Sequence, residues 1–270
     1  MGVSAACMER RQYLAAAAAG GAIGVGGVGG YVILSDDVGF GPSGVPTAPY
    51  PPYPTVDGGG AIEPLSFSGS GQTTTDSFEL TREGPTIIDT DAGDADADDR
   101  FLVTLVSATD GTEYRVIEVL GPFTGRNLIN PPPGEYRLAV EQASADWTAT
   151  VYDVPAYDTD SGVELELEPP VVFEDGLDAV VGPIMFAPDG ETQQIEFDLM
   201  VSDSESSHVL SVYDSEGQPA FETEEGRFSA LINSVTGNLG PVSVEIGGIG
   251  YIVVDTNTTW TLRAEPVDGG

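Results

Sequence analysis

Apolar and polar residues alternate with a period of two over much of the chain beyond residue 65. Such runs occur within residues 101–105, 136–141, 147–151, 195–201 and 242–246. The alternation places every second side chain on the same face, as expected of half-buried β-strands. Turn signals such as Asp110-Gly111 and Glu216-Gly217 fall between runs, and no convincing helical period follows the N-terminal segment. The pattern predicts an all-β fold, an antiparallel β-sandwich of the Ig-like or jelly-roll-like type.

Two stretches of the chain follow the same order of residues. Gly134-Glu135-Tyr136 leads through a strand to Trp147-Thr148, and Gly250-Tyr251 leads through another strand to Trp260-Thr261. This repetition predicts two tandem modules, 65–160 and 165–270, with a boundary between 155 and 175. A single large sandwich is the alternative, because aromatic and β-branched residues recur in any sheet.

The residues before the first module do not read as packed structure. Between residues 40 and 64 the chain carries seven prolines and the run Gly58-Gly59-Gly60. Such a composition favours extended polyproline and flexible segments. Residues 35–64 are therefore predicted to form a linker.

Residues 1–34 have the features of an export segment. Arg10 and Arg11 precede an uncharged run, rich in Ala and Gly, that ends at Leu34. The order Arg-Arg-Gln-Tyr-Leu at 10–14 resembles twin-arginine signal peptides, which implies export of an already folded protein to the cell envelope or the medium. No clear Ala-x-Ala cleavage site precedes Ser35, so the alternative is an uncleaved anchor, the only membrane contact of the protein. Cys7 lies before the apolar run, so the exported part contains neither disulfide nor thiolate metal ligand.

The charge of the chain is strongly one-sided. It has 44 acidic and 9 basic residues, a formal net charge of -35, and every basic residue is an arginine. At molar salt the Debye length falls to about 3 Å, which relieves the self-repulsion of such a surface. We therefore expect a protein from a halophile. Nucleic acid is not an expected partner, because no basic stripe is available to neutralise phosphates.

The first module has an order of strand motifs that is also found in known proteins. The segments that carry it are Phe78-Glu79-Leu80, the run 101–105, the run 134–140 and Trp147-Thr148. They loosely resemble a β-sandwich type that is common in secreted prokaryotic proteins. Modules of that type are usually non-catalytic appendages, so the resemblance implies a binding role rather than an active site.

A cluster of carboxylates stands out within residues 89–99. Asp89, Asp91, Asp94, Asp96 and Asp98 recur at every second or third position just before a predicted strand. Calcium prefers six to eight oxygen ligands, and such a loop offers several. The spacing is not that of an EF-hand, and a solvated acidic loop is the favoured alternative. Calcium is the one cofactor that this pattern suggests, and no other cofactor is expected.

The sequence offers little for catalysis. His208 is the single histidine and is expected in a loop or at a sheet edge; with adjacent serines on opposite strand faces it assembles no triad. Carboxylate pairs for glycoside hydrolysis are uninformative in so acidic a chain. Asn257-Thr258-Thr259 forms an N-glycosylation sequon, a pattern of low specificity.

Together these features predict a non-catalytic, extracellular or cell-envelope protein that binds another protein, a glycan or calcium. The alternatives are a secreted carboxylate-dependent hydrolase and a purely structural surface spacer.

Overall fold

A computed structural model describes residues 62–141, 145–157, 171–176, 179–188, 190–222, 228–229, 231–256 and 258–267. The predicted signal segment with Arg10 and Arg11, almost all of the linker, and Asn257 lie outside the described residues. The described residues form strands and turns without a helix, and every strand pairing is antiparallel. The prediction of an all-β sandwich is confirmed. No described segment is a helix capable of spanning a membrane.

The chain divides into two compact units, whose described parts are Glu63–Asp153 and the residues from Val154 onward. The predicted boundary region, 155–175, begins just after this division, and its residues 158–170 lie outside the described residues. Unit 1 contains β1 (Leu65–Ser70), β2 (Thr73–Thr74), β3 (Phe78–Leu80), β4 (Thr86–Asp91), β5 (Arg100–Ser107), β6 (Glu113–Leu120), β7 (Thr124–Ile129), β8 (Gly134–Glu141) and β9 (Asp146–Asp153). Unit 2 contains β10 (Val171–Gly176), β11 (Ala179–Met185), β12 (Thr192–Val201), β13 (Ser207–Asp214), β14 (Phe221–Glu222), β15 (Phe228–Ser229), β16 (Leu231–Thr236), β17 (Leu239–Gly247), β18 (Ile249–Thr256) and β19 (Thr259–Pro266).

Unit 1 is built from two sheets. One has the order β1-β9-β4-β7, and the other has β2 and β3 on one side of β8, followed by β5 and β6. Thr75 joins β2 and β3 into one interrupted edge strand, because its N–H donates to the Leu138 carbonyl at 2.9 Å. The Leu138 N–H in turn donates to Thr75 Oγ1 at 3.0 Å.

Unit 2 repeats this arrangement. Its sheets have the orders β10-β19-β12-β17 and β11-β18-β13-β16, and the short hairpin β14-β15 is an addition. With β2 and β3 counted as one strand, both units follow the order first-eighth-third-sixth in one sheet and second-seventh-fourth-fifth in the other. This is the strand order of a jelly roll. The topology therefore selects the jelly-roll type over the Ig-like type in both units.

Each unit buries its own hydrophobic core between its two sheets. In unit 1, Ile88, Phe101, Leu138 and Trp147 belong to one buried cluster. In unit 2, the cluster includes Phe197, Leu210, Ile252, Leu262 and Trp260. Alternating side chains from the facing sheets fill these cores, as the period of two predicts.

The predicted sequence repeat is only partly a structural one. Trp147 and Trp260 are both the second residue of the last strand of their unit, and both point into the core. Tyr136 also points into its core, whereas Tyr251 pairs with Tyr213 and lies on the face opposite Ile252. The Trp-Thr halves of the repeat are equivalent, and the tyrosines are not.

His208 is not in a loop or at a sheet edge, so that expectation was wrong. It lies in β13, between β16 and β18, opposite Val235 and Thr256 in the two ladders. It shares a face with Leu210 and Val212 and is fully buried. The burial of a side chain in a central strand depends on which face of the sheet it lies on. The serines next to His208 gave no sign that this face is the core face.

Candidate functional site

The structure separates the five aspartates of the predicted calcium site into two groups. Asp89 and Asp91 belong to β4, and their side chains lie on its outer face, the face opposite the core. Asp94, Asp96 and Asp98 belong to the connection between β4 and β5, and all three are exposed. The carboxylates therefore do not converge on a common centre.

The connection itself is two consecutive tight turns. The Ala95 N–H donates to the Ala92 carbonyl at 3.1 Å, and the Asp99 N–H donates to the Asp96 carbonyl at 2.9 Å. Ala92 and Ala95 are buried and anchor the loop, whereas Ala97 is exposed. The intervening aspartates point toward solvent, which is the geometry of a solvated acidic loop.

Asp91 closes the end of β4. Its Oδ1 accepts the Gly93 N–H at 2.8 Å and the Thr124 hydroxyl at 3.1 Å. The first bond is an Asx turn that ends the strand, and the second ties β4 to the start of β7. These bonds fix the orientation of the Asp91 carboxylate on the outer face.

Within the described ranges, no three His, Cys, Asp or Glu side chains are grouped closely enough to hold a metal ion. Calcium at Asp89, Asp91, Asp94, Asp96 and Asp98 stays a prediction. It is checked by melting the protein in calcium and in chelator at equal ionic strength, because a ligand of the native state raises the melting temperature. Asp91→Asn combined with Asp94→Asn is expected to abolish any shift that such a site produces.

Asp89 has a different partner, which sequence reasoning missed. Arg126 of β7 lies directly opposite it in the ladder. Arg126 Nε donates to Asp89 Oδ1 at 2.5 Å and Nη2 donates to Oδ2 at 2.8 Å. The two bonds of this bidentate pair fix the relative orientation of the side chains. The side chains of Asp89 and Arg126 are 34% and 27% exposed respectively, so the pair remains accessible to solvent.

Tyr152 of β9 completes the cluster. The Arg126 guanidinium carbon lies 5.7 Å from the centroid of the Tyr152 ring, within the range of a cation–π contact. Burial raises the pKa of the Tyr152 hydroxyl, and the nearby Asp89 charge raises it further, whereas Arg126 acts in the opposite direction. A side-chain hydrogen bond with Asp89 also raises this pKa, so the hydroxyl belongs to the same cluster as the ion pair.

The cluster combines three kinds of contact within one outer sheet face. Asp89 supplies carboxylate acceptors, Arg126 supplies guanidinium donors, and Tyr152 supplies an aromatic surface with a hydroxyl. Thr150 lies opposite Asp89 on β9 and adds a hydroxyl that both donates and accepts. Such a set suits a ligand that offers hydroxyl groups together with a small apolar surface.

Part of this cluster was visible in the sequence. The alternation in 147–151 had already placed Thr148 and Thr150 on the face opposite Trp147. Extending the period by one step assigns Tyr152 to the same face. No local signal identified Arg126, because it is 37 residues from Asp89 and meets it only through the β4–β7 ladder.

Comparison with known proteins adds little to this picture. No protein-family model matches the chain, and a search of curated proteins returns no match. Among solved structures, the PBSX exported protein XepA matches with 10% identity over 77% of this chain and 85% of that chain, at a TM-score of 0.24.

The N-terminal CBM22-1-CBM22-2 tandem domain of Xyn10C from Paenibacillus barcinonensis matches with 13% identity over 77% of this chain and 91% of that chain, at a TM-score of 0.23. PNGase F, a glycosylasparaginase from Flavobacterium meningosepticum, matches with 9% identity over 75% of this chain and 96% of that chain, at a TM-score of 0.23. Scores this low carry no argument, so the function is inferred from the site alone.

Proposed function

We propose that this chain is an exported, non-catalytic protein that binds a glycan with the outer face of β1-β9-β4-β7 in unit 1. The observation that carries the proposal is the bidentate Asp89–Arg126 pair beside the half-buried ring of Tyr152. A sugar ring presents hydroxyls that both donate and accept, and a small apolar face of C–H groups. The pair matches the hydroxyls, and the aromatic ring matches the apolar face.

The arrangement is also preorganised. Asp89, Arg126 and Tyr152 come from three neighbouring strands of one sheet, and the two charged groups hold each other in place. Binding groups fixed on strands lose little conformational entropy when a ligand arrives. This favours a recognition surface over a surface ion pair of structural origin.

A non-catalytic role is supported by the placement of the groups that carry hydrolytic chemistry. His208 is fully buried in the core of unit 2. Both oxygens of the Asp89 carboxylate accept hydrogen bonds from Arg126, which is a positioning arrangement. The alternatives are a secreted carboxylate-dependent hydrolase and a structural spacer. An oligosaccharide-binding experiment distinguishes both from a glycan-binding protein.

The test is binding of the full-length chain, in molar potassium chloride, to an array of neutral, amino and uronic oligosaccharides. Arg126→Ala removes two charge-assisted hydrogen bonds and is expected to weaken binding more than tenfold, since about 1.4 kcal/mol corresponds to a factor of ten. Arg263→Ala, which removes a cation from the corresponding face of unit 2, is the matched control and is expected to change nothing.

Each outcome is distinct. Equal losses in the two variants would show a nonspecific charge effect and contradict the proposed site. Release of shortened sugars would favour the hydrolase, and absence of binding across the array would favour the spacer. Melting temperatures of both variants separate loss of binding from loss of folding.

The export part of the proposal rests on Arg10-Arg11, the apolar run and the acidic composition. An intact-mass spectrum of the protein from the producing cells tests it. A mass that lacks the first 34 or so residues is expected from the signal hypothesis. The same spectrum reports whether Asn257 carries a glycan.

A further inference from the structure

The outer face of the β1-β9-β4-β7 sheet extends well beyond the Tyr152 cluster. Cross-strand register aligns its polar side chains into two rows of four, which we call the polar grid. The near row is Ser66, Thr150, Asp89 and Arg126, and the far row is Ser68, Thr148, Asp91 and Thr124. All four members of the far row are exposed.

The grid has the dimensions of an oligomer rather than of a single sugar. Neighbouring strands lie about 4.8 Å apart, so a row of four side chains spans about 14 Å. The two rows are two residues apart along the strands, or about 7 Å. Tyr152 lies two residues after Thr150 on β9, so the near row separates it from the far row. A ligand on the Tyr152 ring therefore reaches only part of the grid.

Hydroxyls make up most of the grid. Five of its eight members are serines or threonines, each able to donate and to accept without carrying charge. Their presence in register on three strands provides a repeating pattern of uncharged partners. A repeating, hydroxylated polymer is the ligand whose chemistry repeats in the same way.

The charges on the grid disfavour anions. Arg126 is its single cation, and the Asp89 carboxylate neutralises it through two hydrogen bonds. Asp91 remains as a net negative charge, and Asp146 lies beside Ser70 one step further along the strands. A uronate or sulfate placed on the far row would therefore meet like charge, with the arginine of the grid already neutralised.

We propose that the polar grid binds an extended, uncharged glycan that runs along the strand direction, from Tyr152 over the near row to the far row. This inference rests on the proposed function and adds the ligand's charge and length. The near row and Tyr152 hold one sugar, and the far row adds contacts that only a longer chain reaches.

Isothermal titration of the full-length chain in molar potassium chloride tests both parts. The probes are cellotetraose, mannotetraose, xylotetraose and tetra-N-acetylchitotetraose, the corresponding monosaccharides, and tetragalacturonic acid. At least one neutral tetrasaccharide is expected to bind about tenfold more tightly than its monosaccharide and than the uronate, which is about 1.4 kcal/mol in each comparison.

Two variants assign the effects to the grid. The double variant Ser68→Ala with Thr148→Ala changes two exposed residues of the far row. It is expected to lower the affinity for the tetrasaccharide about fivefold and to leave the affinity for the monosaccharide unchanged. Ser243→Ala in β17 of unit 2 is the matched control and is expected to leave both unchanged. Asp91→Asn keeps the Oδ1 acceptor of the Asx turn and removes the negative charge. It is expected to reduce the difference in affinity between the neutral tetrasaccharide and tetragalacturonic acid.

The results separate the inference from the function beneath it. Equal affinity for monosaccharide and tetrasaccharide overturns the extended mode, and tighter binding of tetragalacturonate overturns the charge preference. Either result leaves glycan binding at Tyr152 intact. Failure of every probe, together with failure across the oligosaccharide array, overturns the proposed function itself.

Discussion

The two units place the same residue type at the same position and use it differently. Asp89 and Asp198 both lie on the third strand of their jelly roll, opposite the residue three positions after the core tryptophan. In unit 1 that opposing residue is Thr150, and the arginine comes from the other flanking strand. In unit 2 the opposing residue is Arg263, which bonds Glu265 on its own strand at 2.6 Å. The fold therefore supplies a position, and the neighbouring strands decide its chemistry.

The neighbours also differ in what they leave for a ligand. Tyr152 of unit 1 corresponds in register to Glu265 of unit 2, and Glu196 lies directly opposite Glu265. The unit 2 face thus pairs its arginine locally and surrounds it with carboxylates. The unit 1 face offers hydroxyls, an aromatic ring and a neutralised pair, which is why we propose the binding site there.

The buried face of the same strand shows a second contrast. Thr90 and Leu199 are equivalent, since each lies opposite the residue two positions after the tryptophan. Leu199 is part of the unit 2 core, whereas Thr90 is 2% exposed and its Oγ1 has no hydrogen-bond partner among the described residues. At this position, unit 1 therefore carries a desolvation cost that unit 2 avoids.

The largest expected effect comes from giving unit 2 the threonine of unit 1. Leu199→Thr removes buried methyl groups and adds an unpaired hydroxyl, and we expect it to lower the free energy of unfolding by about 3 kcal/mol. Denaturant melts in molar salt measure the change. Met200→Thr on the outer face is the control, with an expected change within about 0.5 kcal/mol. A loss below about 1 kcal/mol for Leu199→Thr would contradict the equivalence of the two cores.

The next effect concerns binding. Tyr152→Ala is expected to weaken glycan binding by about 2 kcal/mol, or roughly thirtyfold in affinity, because tyrosines contribute strongly to the energetics of recognition. Glu265→Ala, at the equivalent position of unit 2, is expected to change nothing. Titration of the best-binding oligosaccharide compares the two. Tyr152→Phe keeps the ring, so a loss as large as that of alanine would assign the effect to the hydroxyl instead.

A smaller effect is expected from the reverse core change. Thr90→Val replaces the hydroxyl with a methyl group of similar size and is expected to raise the free energy of unfolding by about 1 kcal/mol. Thr148→Val on the exposed face serves as the control for β-branched substitution as such. If Thr90→Val destabilises the protein, then Oγ1 makes a bond of structural value and the contrast with Leu199 fails.

The smallest effect is electrostatic. Burial raises the pKa of Asp198 above its usual value of 3.8, and Glu265 adds to the rise while Arg263 opposes it. A carboxyl whose folded pKa is raised binds its proton more tightly in the native state, so its stabilising effect is full below pH 3.8 and is lost as pH rises through the folded pKa. Relative to Asp198→Asn, the wild type is therefore expected to lose stability from acid to neutral pH. Paired melts across this range measure the difference, and a constant difference would contradict the raised pKa.

Sequence periodicity predicted the strands because burial of one face imposes it directly on neighbouring residues. It also predicted which side of β9 carries Trp147 and which carries Thr148. The repeat was partly misleading because Tyr136 and Tyr251 share a motif but not a face. Each tyrosine is the third residue of an eight-residue strand, so its place in the strand does not decide its face. The face depends on the register with the neighbouring strands, because a shift of one residue moves a side chain to the other face.

The candidate site was less predictable than the fold. The acidic run was visible as a cluster along the chain, yet its members divide between a strand face and a loop that is anchored by the buried Ala92 and Ala95. His208 looked like a surface residue among serines and proved to be part of a central strand. In both cases the missing information was which strands flank the residue.

By itself, the sequence determined the fold class, the alternation of the strands and the acidic excess, since each depends on local pattern or composition. Tertiary structure alone decided the jelly-roll order, the Asp89–Arg126–Tyr152 cluster and the polar grid. These depend on ladders that join residues far apart in the chain, and a period of two specifies the face of a strand but not its neighbour.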